Sequence, residues 1–466
     1  MLLRVISYWL LSILIVLPGW SQSFPSRTWL SSSGARIEAR MLGFDGQKVT
    51  IERNDSQKFL FPLSLLSRQD QEYVRKAWSN RLSPASQTAS VNLSTPADKS
   101  SLPIWSPGVI AEWWELHQDR DQWKGGAQKL IKSLRATWSD KQSRSAREGR
   151  DFFQWFDHWR WVDLFLQIDP RATDSKMVEA FVSIGKNHDL QKVFLKALHP
   201  MDNQARAMAL YLSLAAEYPI EVKKYSSLAC AYAVVFDQSF PRGWPHHQVP
   251  SGDVILEASS LGERFADVVK AHAMRKLEYD PSQLSVTELK FVIDHPLSIS
   301  ELEWARDQES FRRSGFDKIF SSIEYDHPRL KASAFSWPHG KYSLESIRSK
   351  GGICVDQAYF SSIVGKAKGI PTLTFVGQGS GGGHAWFGFL KSPGRWETDC
   401  GRYENQNYPV GNAIDPQLWK PITDDELGAL ARGEKNLSGF RGKAVDYFAW
   451  ALENANAPFY REALVR

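Results

Sequence analysis

Gly351-Gly352-Ile353-Cys354-Val355-Asp356-Gln357-Ala358 opens the stretch that decides the fold, and Trp396-Glu397-Thr398-Asp399 closes it. Val355, Ala358, Tyr359 and Ile363 mark an apolar helical face, so a helix is expected to begin at about Cys354 and to end at Lys368-Gly369-Ile370-Pro371. The glycine pair before Cys354 permits close backbone approach. A cysteine at a helix N-terminus lies beside free N–H groups and the positive end of the macrodipole, both of which favour the nucleophilic thiolate. The same N–H groups suit part of an oxyanion hole.

Thr372 to Val376 reads as a buried strand, and Gly377 to Gly383 as a mobile loop beside His384. Gly377, Gly379 and Gly382 spell G-x-G-x-x-G after a strand, but the strand-like HAWFGFL comes next. A dinucleotide site needs a helix there, whose N-terminus holds the pyrophosphate, so the nucleotide reading fails. His384–Leu390 and Arg395–Asp399 flank Ser392-Pro393-Gly394, which predicts an antiparallel hairpin. With Leu390 opposite Arg395, His384 faces Gly401, Asp399 is its diagonal neighbour on the same face, and Cys400 points the other way. Asp399 is then placed to orient the imidazole while the other ring nitrogen faces Cys354. The cysteines are Cys230, Cys354 and Cys400. Either a Cys230–Cys400 bridge or two free structural thiols leaves Cys354 available.

In order, spacing and context, the chain here resembles the transglutaminase-like superfamily with its papain-type core. The resemblance rests on Gly351–Ala358, Ala367-Lys368-Gly369-Ile370-Pro371, Gly383-His384-Ala385-Trp386 and Trp396–Asp399. It implies Cys354 as nucleophile, His384 as base and acid, and Asp399 as the orienting group. That superfamily holds cross-linkers, thiol peptidases, peptide glycanases and inactive members, so the resemblance leaves the reaction open. Cys400-Gly401-Arg402-Tyr403 departs from the strand and proline that commonly follow the Asp, which bears on the acceptor side. Trp337 and Gln357 are the side-chain candidates for the oxyanion hole.

Upstream, residues 106–325 read as helical: Trp155, Phe156, Trp159 and Val162, then Ala207, Leu210, Tyr211 and Leu214, recur at helical spacing between prolines. The run FFQWFDHWRW at 152–161 reads as helix packing rather than a ligand shelf. His246-His247, adjacent in a Pro-flanked loop, lacks metal-ligand spacing, so neither a metal nor a cofactor is expected. Residues 79–103 are rich in Ser, Thr, Pro and Ala and read as a disordered linker. Before it, Trp29, Ile37, Ala39 and Met41 alternate with polar residues, Asp45-Gly46 signals a hairpin, and Ser67 with Asp70 resembles a capping box. The R-T-W start, the hairpin glycine and the F-P-L-x-x-L-S ending make this segment resemble the Sla-homology domain, a small barrel; by analogy that implies a protein partner. Arg4, the uncharged run Val5–Leu17 and Ser21-Gln22-Ser23 read as a secretory signal cut after Ser23. The run is shorter than the roughly 20 residues that span a bilayer, so no stable membrane span is expected after cleavage.

At 466 residues the chain is too long for one domain of roughly 150. Its 57 basic and 52 acidic residues are too balanced for a nucleic-acid binder. The expected architecture is α+β and multidomain: a signal peptide at 1–23, a small all-β barrel at 24–78, a disordered linker at 79–105 and an α-helical region at 106–325. A transglutaminase-like core of one helix packed on an antiparallel sheet occupies 326–420, with C-terminal helices at 421–466. The expected function is a secreted or periplasmic thiol enzyme acting on amides of a protein or peptide substrate. The alternative is an inactive relative that binds or scaffolds proteins.

Overall fold

The computed structural model describes residues 26–31, 36–44, 48–53, 58–82, 102–139, 146–199, 201–241, 243–250, 252–254, 259–379, 382–402 and 411–422. The expected signal peptide, the Asp45-Gly46 tip, most of the linker and the terminal helices lie outside the described residues. The fold is mixed α+β, and the chain divides into two compact units at Ala97/Asp98. No described helix is long and apolar enough to cross a membrane.

The first unit is a four-stranded antiparallel sheet in sequence order: β1 (Ser26–Leu30), β2 (Arg36–Phe44), β3 (Lys48–Arg53) and β4 (Lys58–Pro62). Side chains alternate across a strand, so Trp29, Ala39, Met41, Val49 and Ile51 fall on one buried face. Helix α1 (Arg68–Leu82) contributes Val74 to the same cluster. Half of the expected capping box forms: Ser67 Oγ accepts from the Asp70 N–H at 3.2 Å, while the Ser67 N–H donates to the Leu30 carbonyl at 2.7 Å. Asp70 also accepts from the Leu30 N–H at 2.7 Å and pairs with Arg27 at 2.6 Å, bracing β1 to the helix. The expected closed barrel is corrected to an open sheet. Among the described residues β1 and β4 share no ladder, and only the Ser31↔Leu66 bridge links the two ends.

In the second unit the aromatic run falls on α2 (Ala146–Leu166) and is core. Trp161 and Phe165 both stack on Phe181, at ring separations of 5.9 and 3.8 Å. Helix α3 (Gln204–Glu217) packs against α4 (Ser226–Val235), which is buried at every residue from Leu228 to Val235. A helix apolar all round belongs in an interior, and its alanines at 229, 231 and 233 let neighbours approach closely. Helix α5 (Val286–Ile293) packs against α4 on one side and against the helix that begins at Cys354 on the other. One hydrophobic cluster therefore runs from Ile110 to Ile422. The boundary expected at 325/326 is not a packing boundary: the helical region and the sheet share a core.

The segment before that core carries α6 (His327–Lys331). Helix α7 (Cys354–Ala367) is buried throughout from Asp356 to Ala367 and ends where Gly369 turns to a φ of 70°. Its sheet is β5 (Thr372–Gly379), β6 (Gly382–Ser392) and β7 (Arg395–Cys400), in that order and antiparallel. The glycine run is a continuation of the β5–β6 hairpin rather than a loop: Gly377 pairs with His384 and Gly379 with Gly382.

Gly388 marks how tightly this sheet is packed, because a Cβ there would meet the Glu397 carbonyl oxygen at 2.8 Å and Phe375 at 3.1 Å. Backbone cannot swing aside as a side chain can. We expect Gly388→Ala to lower stability by about 1–3 kcal/mol in urea unfolding, as overpacking does. A variant as stable as the parent would show that the β6–β7 pairing has slack.

Candidate active site

Cys354 is half-buried at the first position of α7, and all three cysteines are free thiols, with Cys230 and Cys400 buried. The glycine pair explains its placement. Gly351 holds a φ of 76°, and a Cβ on it would lie 2.5 Å from the Glu324 carbonyl oxygen; the Gly352 N–H donates to that same oxygen at 2.9 Å. The chain thus passes flush against the 324–326 segment and delivers Cys354 to the wall of a cleft of about 1200 Å³. His384, Gln357, Gly401 and Arg402 line the same cleft.

His384 sits on β6 with its ring stacked over Trp386 at 5.9 Å and beside Phe320 at 6.4 Å. Its Nε2 lies 2.8 Å from the Gly401 carbonyl oxygen. A carbonyl only accepts, so Nε2 carries the proton and Nδ1 holds the lone pair. Gly401 is suited to this role: its φ is 86°, and a Cβ there would collide with Phe320 at 2.5 Å. The Ala385 N–H, one residue beyond His384, approaches the Cys354 sulfur and draws thiol and imidazole strand together.

Asp399 is placed differently from the expectation. Leu390 pairs with Trp396 rather than Arg395, and Phe387 pairs with Cys400, with irregularities on either side of residues 389 and 390. A bulge adds a residue to one strand and re-aims the side chains beyond it. Cys400 turns into the core, while the Asp399 side chain is 65% exposed and accepts from Arg402 Nη1 at 3.1 Å. The structure brings Cys354 and His384 to one cleft and leaves Asp399 off its lining, with the Gly401 carbonyl at the imidazole nitrogen where the carboxylate was expected. Compared with family models, curated proteins and solved structures, the chain finds no match.

Of the two oxyanion candidates, Gln357 lines the cleft, but its amide Nε2 donates to the Ile323 carbonyl at 2.8 Å. Trp337 is buried against Tyr342 and lies off the cleft wall.

Sequence reasoning missed the carboxylate of Asp356. It accepts from the Ile353 N–H at 2.9 Å, from Tyr342 Oη at 3.0 Å and from Arg329 Nη1 at 2.6 Å, all buried. Its spacing of three from Ile353 is the half of a capping box that needs no side chain at the cap. Tyr342 in turn is 2.9 Å from His246 Nε2, so the histidine read only for metal belongs to this network. Because the Tyr342 hydroxyl donates to Asp356, His246 Nε2–H donates to Tyr342.

The electrostatics also depart from the expected thiolate. Burial raises the Cys354 thiol above its usual range, outweighing the Ala385 and Val355 N–H groups that pull it down, and Asp356 adds to the rise. Burial lowers the His384 imidazole, against the opposing pull of the Gly401 bond. Both groups are therefore neutral at pH 7. Alkylation of Cys354 by iodoacetamide should keep rising beyond pH 9, where an ordinary thiol levels off, with no plateau at pH 6–7. A plateau near pH 6 would reveal a thiolate–imidazolium pair instead. Asp356→Asn, which leaves Arg329 buried without its counter-charge, should cost about 3–5 kcal/mol in denaturant unfolding.

Proposed function

We propose that this cleft carries out thiol acyl transfer on amides, with Cys354 as nucleophile and His384 as the proton carrier. The observation that supports it is the orientation of the imidazole: with Nε2–H held by the Gly401 carbonyl, Nδ1 is the basic edge in a cleft that also holds the thiol. Nδ1 takes the thiol proton as Sγ bonds to the amide carbon, and the electron pair of the C=O bond moves to oxygen. First-turn N–H groups of α7 stabilise that oxyanion. As the C–N bond breaks, Nδ1–H passes its proton to the departing amine and leaves a thioester. Water, or a second amine, then attacks the thioester with His384 again accepting a proton, and the thiol is restored. Water as acceptor makes the protein an amidase or peptidase, and an amine makes it a cross-linker.

Asp399 enters this proposal through Arg402 rather than through the imidazole. The secretory signal and a protein-contacting role for the β1–β4 unit complete the reading of a thiol enzyme that works outside the cytoplasm. A second reading, an inactive relative that binds proteins, is favoured by one observation: the thiol is held in its less reactive form by burial.

The deciding experiment incubates the mature protein with a Gln-containing protein and a fluorescent amine, following amine incorporation, chain cleavage and the mass of an acyl-enzyme. Cys354→Ala should abolish every readout, and His384→Ala should lower turnover by about 10²–10⁴, as loss of general acid–base catalysis does. Asp399→Asn should change kcat/KM by less than about tenfold, whereas a carboxylate bonded to the imidazole would cost about 10⁴. Turnover that survives Cys354→Ala would sink the proposal, and no turnover with any amide would leave the binding reading.

A further inference from the structure

Helix α6 is built inside out. Its Arg329 is 5% exposed while the neighbouring Leu330 is 43% exposed, and Phe335, just beyond the helix, is 47% exposed. Leaving large apolar side chains in water while burying a guanidinium runs against the ordinary sorting of residue types. The buried half is accounted for. Arg329 pairs with Asp356 at 2.6 Å, donates from Nε to the Ala334 carbonyl at 3.0 Å and from Nη2 to the Phe335 carbonyl at 2.5 Å, and lies over the Trp337 ring at 5.6 Å. Arg329 takes the inward position, and Leu330 and Phe335 face out.

Both exposed side chains line the cleft that holds Cys354. Their support distinguishes the two sides of that cleft. His384 and Arg402 come from the β6–β7 side, where the leaving amine must lie to collect its proton. The α6 wall is carried instead by Asp356, which sits on α7 two residues from the nucleophile.

We propose that Leu330 and Phe335 form the acyl-side specificity subsite, which selects peptide amides bearing a large apolar side chain next to the carbonyl attacked. This rests on Cys354 being the nucleophile of the cleft. The occupant is a substrate side chain because the two residues are continuous with the reactive cleft. Arg329 tethers the wall they stand on, fixing their spacing from the thiol.

The test uses the full chain and acetyl-amino-acid vinyl sulfones that differ only in side chain, Phe against Ser, with each rate divided by that of iodoacetamide on the same protein. The Phe probe should label Cys354 about tenfold faster, the discrimination a modest apolar pocket provides. Leu330→Ser combined with Phe335→Ser should bring the ratio below about threefold on the same grounds. An unchanged ratio in the double variant would overturn the subsite. In parallel, Cys354→Ala protein is titrated with N-acetyl-Phe-amide and N-acetyl-Ser-amide by tryptophan fluorescence. Tighter binding of the Phe amide, lost in the double variant, supports the subsite whether or not the thiol reacts, and equal binding overturns it. A thiol inert to every probe together with Phe-selective binding would overturn the acyl-transfer reading and the acyl-side role with it, leaving Leu330 and Phe335 as an apolar binding site for an amide side chain.

Discussion

The buried carboxylate of Asp356 is the interaction on which this site depends. It caps the helix that begins at Cys354, and it receives the Arg329 guanidinium and the Tyr342 hydroxyl. Desolvating one charge costs several kcal/mol unless its partner and its remaining lone pairs are satisfied, and here three donors meet one carboxylate. The result is directional. The helix N-terminus, the α6 wall and the segment around Tyr342 are referred to one point, so Cys354 and the surface beside it cannot shift independently.

Burial has a second consequence at the same place. A helix N-terminus ordinarily lowers a thiol pKa, and the N–H groups that do so are present at Cys354. Desolvation outweighs them, because the half-buried sulfur loses more hydration than a few partial charges return, and the nearby Asp356 opposes ionisation further. His384 is shifted toward its neutral form by the same burial. A neutral pair suits a mechanism in which the proton moves as the S–C bond forms, rather than one that begins from a standing ion pair.

Local pattern made much of this legible. The helix from Cys354, its glycine-terminated end, the strands on either side of His384 and the cap at Ser67 all follow from spacing and residue type, which act over a few positions. The features that stayed hidden depend on distant partners. The pairing of β6 with β7 shifts through irregularities that no local signal announces: one residue at Leu390 and two at Phe387, which pairs with Cys400 rather than Thr398, and Asp399 moves away from the imidazole. The open edge of the first sheet and the single core joining the helical region to α7 are likewise tertiary outcomes. Asp356 was partly readable, since its spacing from the helix start is that of a capping residue, but its pairing with Arg329 joins positions 27 residues apart.

A backbone carbonyl at Nε2, in place of the carboxylate expected there, sets what the imidazole can do. A carboxylate would fix the ring and also stabilise its cation by a full charge, whereas a carbonyl fixes the same tautomer with a dipole. Orientation is retained and electrostatic bias is reduced, which agrees with the lowered imidazole. Gly401 makes that geometry possible because a side chain there would strike Phe320 and because its φ of 86° favours glycine. Gly401 is thus what turns a backbone oxygen toward His384, while the Asp399 carboxylate accepts from Arg402 on the lining of the cleft.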